Sequence, residues 1–246
     1  MDLNGHLCSI GPLALAFSGG ADSTFLLKVA VDAGVDVRPF FVHTMFCRSG
    51  DLDHAIRMCQ HIGVGLNVIE LDIGSVSEVI SNPPDRCYAC KRAIFRSVMD
   101  AVGDDSRTIV DGTNASDDES DRPGMRVLKE LGVRSPLREC GFTKDMVREC
   151  SRMLGLPTWD LPSDSCLATR IPTSTPISQE LLDRIEEAED RVRDMGFLGC
   201  RVRSDGTSCR IQVMSCDLDR ARGIRSDLEG SVSDLFPDAS LIEEGR

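Results

Sequence analysis

Residues 13–23 read Leu-Ala-Leu-Ala-Phe-Ser-Gly-Gly-Ala-Asp-Ser, an apolar run that breaks at a glycine pair and continues into a helical pattern closed by Gly34. A run of that length suits a buried strand, and a closing glycine marks a helix end. The alternation repeats downstream. VRPFFVHTM reads as a second strand, residues 51–63 as a helix ending at Gly63, and LNVIELDI as a third strand. After the turn at Asn82-Pro83-Pro84, residues 88–102 read as a helix, and RTIVDGT reads as a fourth strand running into the polar loop NASDDESDRPG. Strands alternating with helices predict an α/β fold with a doubly wound parallel sheet. Ligands of such sheets sit at the carboxyl ends of the strands.

Residues 157–176 carry Pro157, Pro162, Pro172 and Pro176 with little periodicity, and read as a functional loop. Residues 178–196 then read as a charged amphipathic helix, 200–214 as a β-hairpin around Asp205-Gly206, and the stretches near 217–228 and 239–243 as a helix and a short strand. The division expected is a larger domain over 1–156 and a smaller α+β domain over 157–246.

Bulk properties restrict the function. The chain has 246 residues, 41% hydrophobic and 28% charged, enough to bury a core. Its net charge of −12 argues against a general nucleic-acid binder, which needs a basic surface. No stretch approaches the ~20 apolar residues of a membrane span. The first residues lack the positive region of a signal peptide, so a cytoplasmic protein is expected. Of the 11 cysteines, most are scattered and read as small buried hydrophobes. Cys87, Cys90 and Cys166 are the exceptions, and metal or redox chemistry suits them better than a disulfide framework.

The chemistry is carried first by Ser18-Gly19-Gly20-Ala21-Asp22-Ser23. Glycines let the backbone approach an anion closely. The helix that follows offers free N–H groups and a partial positive charge to phosphate. Ser18 and Ser23 add hydroxyls, and Asp22 suits the Mg²⁺ that accompanies a nucleotide. The stretch matches neither the G-x4-G-K-[ST] nor the G-x-G-x-x-G pattern. It resembles the PP-loop of the N-type ATP pyrophosphatases, which cleave ATP between the α and β phosphates and adenylylate a second substrate. DGTNASDDESDRPG (111–124), SPL (135–137), TKDMVREC (143–150), LGLPTWDLPSDSCLATRIP (154–172) and RVRSDGTSCRIQV (201–213) extend the resemblance along nearly the whole chain. Together they are similar to the LarE family of sulfur transferases, which build the nickel-pincer nucleotide cofactor.

That resemblance implies an enzyme that adenylylates the carboxylates of pyridinium-3,5-biscarboxylic acid mononucleotide and replaces AMP by sulfur. Domain 1–156 is then the ATP pyrophosphatase, and 157–246 the part for sulfur transfer, substrate binding and oligomerisation. ATP and Mg²⁺ are its expected cofactors. Cys166 matches the sulfur-donating cysteine; Asp22 and Lys144 join it as catalytic residues. Ser18, Gly19, Gly20, Asp22, Ser23, Gly112, Thr113, Asn114 and Arg148 are expected at the nucleotide. Lys144 and Arg148 share a helix face at i and i+4, where cations offset transition-state charge. Arg201 and Arg203 alternate on a strand and form the implied phosphate clamp, with Arg170 and Glu189 also at the substrate. A homo-oligomer, a sulfide source and a small-molecule substrate are the implied partners.

Here the chain departs from single-cysteine relatives, because Cys87-x2-Cys90 adds a chelating spacing. Three cysteines leave one position open on a [4Fe–4S] cluster, where hydrosulfide would be carried. The open alternatives are zinc, a redox pair supporting a persulfide on Cys166, and structural thiols. Phe17, His43 and Thr44 are candidates for adenine, with a packed strand-end residue as the other reading of His43. Asp117, Asp118, Glu119 and Asp121 are candidates for Mg²⁺, Arg122 for an anion, and Lys91 for phosphate or thiolate. Trp159 reads as core packing. Competing functions are a tRNA thiolase, an ammonia-dependent amidoligase and a non-catalytic ATP-binding regulator.

Overall fold

The computed structural model describes residues 2–117, 124–162, 165–242 and 244–245. In chain order the elements are α1 (Leu3–Ile10), β1 (Leu13–Ala16), α2 (Ala21–Asp32), β2 (Val37–His43), α3 (Asp51–Ile62), β3 (Asn67–Glu70), α4 (Ser77–Ile80), α5 (Arg86–Val102) and β4 (Thr108–Asp111). There follow α6 (Gly124–Glu130), α7 (Pro136–Glu139), α8 (Lys144–Met153), α9 (Gln179–Asp194), β5 (Arg201–Ser204), β6 (Ser208–Gln212), α10 (Leu218–Gly223), α11 (Arg225–Ser231) and β7 (Asp238–Leu241). The chain divides into two compact units, Met1–Ile73 with Asp85–Ser163, and Gly74–Pro84 with Asp164–Arg246.

In the first unit four strands run parallel in the order β3-β2-β1-β4. β1 is central, and its side chains alternate between two apolar layers, as the period of two requires. Leu13 and Leu15 join Leu7, Phe25, Leu26 and Val147 on one face, while Ala14 joins Phe40 and Val98 on the other. A sheet buried on both faces between helices is the doubly wound α/β arrangement. α1 is not among the elements the periodicity predicts. It forms because Asp2 caps it, accepting from the N–H groups of Asn4 and Gly5, and because Leu3 and Leu7 enter the core.

In the second unit β5 and β6 form the predicted hairpin, turning at Gly206 with φ 102°. β7 then adds to β6 in parallel. Along β5 and β6, Val202, Cys209 and Ile211 are buried while Arg203 and Arg210 are exposed. The helix expected near 217–228 is two, α10 and α11, because Ile224 leaves helical geometry at φ −123° and ψ 29°. No described helix is long and apolar enough to cross a membrane.

Candidate active site

At the end of β1, Phe17 still pairs with β2, its N–H donating to the Phe40 carbonyl at 2.8 Å. The chain then turns into α2. Gly19 makes the turn at φ 75°, and a Cβ there would stand 3.1 Å from His54 Cδ2 and 3.3 Å from the Ala55 Cα. Both the left-handed backbone and the close approach require glycine. No side chain caps α2, so its first-turn N–H groups are available to an anion. Ser18 and Ser23 brace the loop, their hydroxyls 3.2 Å apart, with the Gly20 N–H donating to Ser18 Oγ at 3.4 Å.

The end of β4 lies against this loop. A Cβ on Gly112 would stand 2.9 Å from the Ser23 nitrogen. Beyond it, Asn114 Nδ2 donates to Asp22 Oδ1 at 3.1 Å, and the Asn114 N–H donates to Asp117 Oδ2 at 3.1 Å. The Asp111 carboxylate holds the turn by accepting from the Thr113 hydroxyl at 2.6 Å and the Ser135 hydroxyl at 2.7 Å. The head of α8 is tied to the same turn, because the Lys144 N–H donates to Ser116 Oγ at 3.1 Å. Thr143 caps α8, accepting from the Met146 N–H at 3.3 Å.

Electrostatics follow from this convergence. Burial pushes the Asp22 carboxyl above its usual range; the Asn114 hydrogen bond works against that rise, the Asp117 charge adds to it, and Lys144 and Arg148 oppose it. Arg148 also donates to the Leu161 carbonyl at 2.6 Å. The expected set of Ser18, Gly19, Gly20, Asp22, Ser23, Gly112, Thr113, Asn114, Lys144 and Arg148 therefore gathers around the β1 and β4 ends. Of the adenine candidates, Phe17 and Thr44 are buried. His43 bonds Glu70 across the ends of β2 and β3 at 2.8 Å and stacks on Phe41. Asp118, Glu119, Asp121 and Arg122 lie outside the described residues.

None of the cysteines is in a disulfide. Cys87 and Cys90 stand one turn apart at the start of α5 in the first unit, Cys87 exposed and Cys90 half-buried. Arg86 Nη2 donates to Cys87 Sγ at 3.6 Å. Cys166, in the second unit, is exposed and caps the 3-10 turn Leu167–Arg170. Among the described residues no group of three or more His, Cys, Asp or Glu is gathered closely enough to hold a metal ion. The Cys87–Cys90 spacing by itself has the chemistry of a chelating thiol pair.

In the second unit Arg203 is exposed and Arg201 half-buried on β5, and Arg203 lies opposite Arg210 in the β5–β6 register. Arg170 and Glu189 are fully buried and pair with one another at 2.8 Å. Lys91 runs over Gly124, where a Cβ would stand 2.6 Å from its Cδ. Trp159 departs from the core role expected for it: it lies in the turn after α8 and is 40% exposed.

No family model matches the chain. Individual proteins do. It is 34% identical to an uncharacterized protein of Synechocystis over 201 residues, 81% of this chain and 75% of that protein. It is 30% identical to the pyridinium-3,5-bisthiocarboxylic acid mononucleotide synthase, the LarE enzyme, of Lactiplantibacillus plantarum over 204 residues, 82% of this chain and 74% of that protein. The chain belongs to the LarE family. A tRNA-specific 2-thiouridylase of Clostridium botulinum is 24% identical over 187 residues, 62% of this chain and 52% of that protein. LarE proteins and the thiouridylases are both sulfur-transferring PP-loop enzymes, and this chain is an enzyme of that kind.

Some residues around the glycine turn carry no signal in the sequence. His54 Nε2 meets the Gly19 carbonyl at 3.0 Å from 35 residues away. Asp111 organises Thr113 and Ser135, a role that its place at the head of the DGTNASDDESDRPG stretch does not show. Their signal is three-dimensional: a polar side chain aimed at a loop backbone has no periodicity to betray it.

Proposed function

We propose that this LarE protein uses ATP to adenylylate the carboxylates of pyridinium-3,5-biscarboxylic acid mononucleotide and converts them to thiocarboxylates for the nickel-pincer cofactor. In this reading the sulfur is carried by a [4Fe–4S] cluster on Cys87, Cys90 and Cys166. The observation that supports the ATP half is the meeting of the glycine turn with Asp22, Asn114 and the head of α8 at one strand end.

The residues divide the work as follows. A substrate carboxylate oxygen attacks the α-phosphorus of ATP, the bond to the β-phosphate oxygen breaks, and pyrophosphate leaves. The first-turn N–H groups of α2 and the hydroxyls of Ser18 and Ser23 hold the pyrophosphate. Lys144 and Arg148 offset the negative charge that grows in the transition state. Mg²⁺, when bound, would neutralise phosphate charge, and Asp22 is the residue to hold it; burial disfavours its ionised form, and a cation beside it reverses that. Arg201 and Arg203 hold the substrate phosphate by forked hydrogen bonds. Sulfur then attacks the acyl carbon, the carbon–oxygen bond to AMP breaks, and AMP leaves. The cluster, when bound, would supply sulfide at an iron that three thiols leave open. A cytoplasmic homo-oligomer fed by a separate sulfide source, with domains 1–156 and 157–246, completes the reading.

The experiment is ATP–pyrophosphate exchange on the full chain, with and without the pyridinium dicarboxylate mononucleotide. Exchange that depends on the mononucleotide supports the reading. Exchange stimulated by tRNA instead, or RNA co-purifying with the protein, replaces it with a tRNA thiolase. Cys166→Ser is expected to abolish thiolation and spare exchange. Iron and acid-labile sulfide in anaerobically purified protein support the cluster; colourless, iron-free protein refutes it.

A further inference from the structure

Two fully buried, oppositely charged side chains sit beside the exposed Cys166. The Arg170 guanidinium forks onto Glu189, Nε to Oε1 at 2.8 Å and Nη2 to Oε2 at 3.4 Å. Its third nitrogen, Nη1, turns the other way. It donates to the Ser165 carbonyl at 2.8 Å, to Ser165 Oγ at 2.8 Å and to Thr169 Oγ1 at 3.0 Å. Arg170 thus grips the chain on both sides of Cys166. The Cys166 carbonyl is held in turn by the Thr169 N–H at 3.0 Å and the Thr169 hydroxyl at 2.8 Å.

Glu189 extends the grip. Its carboxylate also accepts from the Val202 N–H at 2.9 Å and from Arg193 Nη2 at 2.9 Å. Val202 is the β5 residue between Arg201 and Arg203. One carboxylate on α9 therefore ties the Cys166 loop, through Arg170, to the strand that presents those two arginines. Burying such a pair is costly, and apolar residues of similar volume usually hold a fold as well or better. Stability alone gives no reason for the pair, whereas orientation does.

We infer that Glu189 and Arg170 are positioning residues that set the spacing between the Cys166 thiol and the Arg201/Arg203 face. The inference rests on the reading of Cys166 and those arginines in the preceding subsection. It removes Arg170 and Glu189 from direct contact with substrate: every nitrogen of the guanidinium already donates within the unit, and both carboxylate oxygens already accept.

The test compares Glu189→Gln with the double variant Arg170→Met/Glu189→Leu in the full chain. The double variant removes both charges and keeps the volume apolar but leaves the buried Val202 N–H without its acceptor, so it is expected to melt about 2 to 12 °C below the wild type and to stay folded in the assay; Glu189→Gln keeps an acceptor there. Three further results are expected of the double variant. The thiolation kcat falls by about 10- to 100-fold, while the mononucleotide KM and the ATP–pyrophosphate exchange rate stay within about 3-fold. Hydrogen exchange of the Thr169 amide rises at least ~10-fold. Alkylation of Cys166 in metal-free protein, followed by peptide mass spectrometry, changes rate. Glu189→Gln is expected to show the same kcat loss. A double variant with wild-type kcat and an unchanged Thr169 amide overturns the inference, as does a loss confined to KM, which would return both residues to the substrate. Should the wild type fail to thiolate the mononucleotide, the functional reading falls, and the Thr169 exchange and Cys166 alkylation still decide the clasp.

Discussion

Replacing Gly112 by alanine tests whether the proposed ATP site depends on backbone contact between β4 and α2. The added Cβ would stand 2.9 Å from the Ser23 nitrogen, 3.1 Å from the Ser23 Cα and 3.3 Å from the Asp22 carbonyl carbon. All three are main-chain atoms, so no flexible side chain can yield. Ordinary contact begins at 3.4 Å, so the first turn of α2 must retreat by about 0.5 Å or β4 must bend. Overpacking of this kind costs about 1 to 3 kcal/mol. For a chain of this size each kcal/mol moves the melting temperature by about 2 to 4 °C, so the melt should fall by about 2 to 12 °C. The displaced atoms carry Asp22 and the anion-facing N–H groups, so exchange of pyrophosphate into ATP should fall more steeply than the melt suggests, by up to ~100-fold. Gly65→Ala is the control, because its Cβ meets nothing within 4 Å; it should leave both readings unchanged. A Gly112→Ala protein that melts and exchanges like the wild type would refute the close approach of β4 to the PP-loop.

Two other outcomes follow from the charges and thiols. Burial raises the Asp22 carboxyl above its unfolded value of 3.8, so its penalty to stability is absent below that value, grows as pH rises through the folded value, and is complete above it. Asp22→Asn should therefore melt higher than the nucleotide-free wild type near neutral pH, with the gain vanishing in acid, and should lose ATP–pyrophosphate exchange; a gain that persists at low pH counts against the burial argument. Burial pushes Cys59 and Cys209 up to about 11 from 9.0, which leaves ~100-fold less thiolate at a given pH than an ordinary thiol holds. Timed iodoacetamide labelling of metal-free protein at mildly alkaline pH should modify exposed Cys8, Cys87, Cys166 and Cys216 first, and labelling of Cys59 at the rate of Cys216 would contradict it.

Much of the first unit was legible because its signals are local. Four short apolar runs, the first two followed by helical patterns closed at Gly34 and Gly63, are enough to place β1 to β4 and the helices between them. The glycine pair at 19–20 could be read as a phosphate loop because a strand-to-helix turn with free N–H groups is itself a local object. The second unit was harder at its edges. The Asp205-Gly206 hairpin was plain, whereas the break at Ile224 that makes α10 and α11 two helices is marked only by a lone Gly223, which a helical pattern also tolerates in its interior. Trp159 was misplaced for a related reason: an apolar residue in a proline-rich turn has no periodicity to say which way it faces.

By itself the amino-acid order determined the α/β class, the glycine turn at Ser18–Ser23 and the one-turn spacing of Cys87 and Cys90, since each depends on residues a few positions apart. Tertiary structure alone decided the strand order β3-β2-β1-β4, the hydrogen bond that brings Asn114 to Asp22 from 92 residues away, and the burial of Arg170 against Glu189. Those are choices among non-local partners. They are made by which surfaces exclude water together and which buried polar atoms can satisfy one another, and neither is written in the spacing of neighbours along the chain.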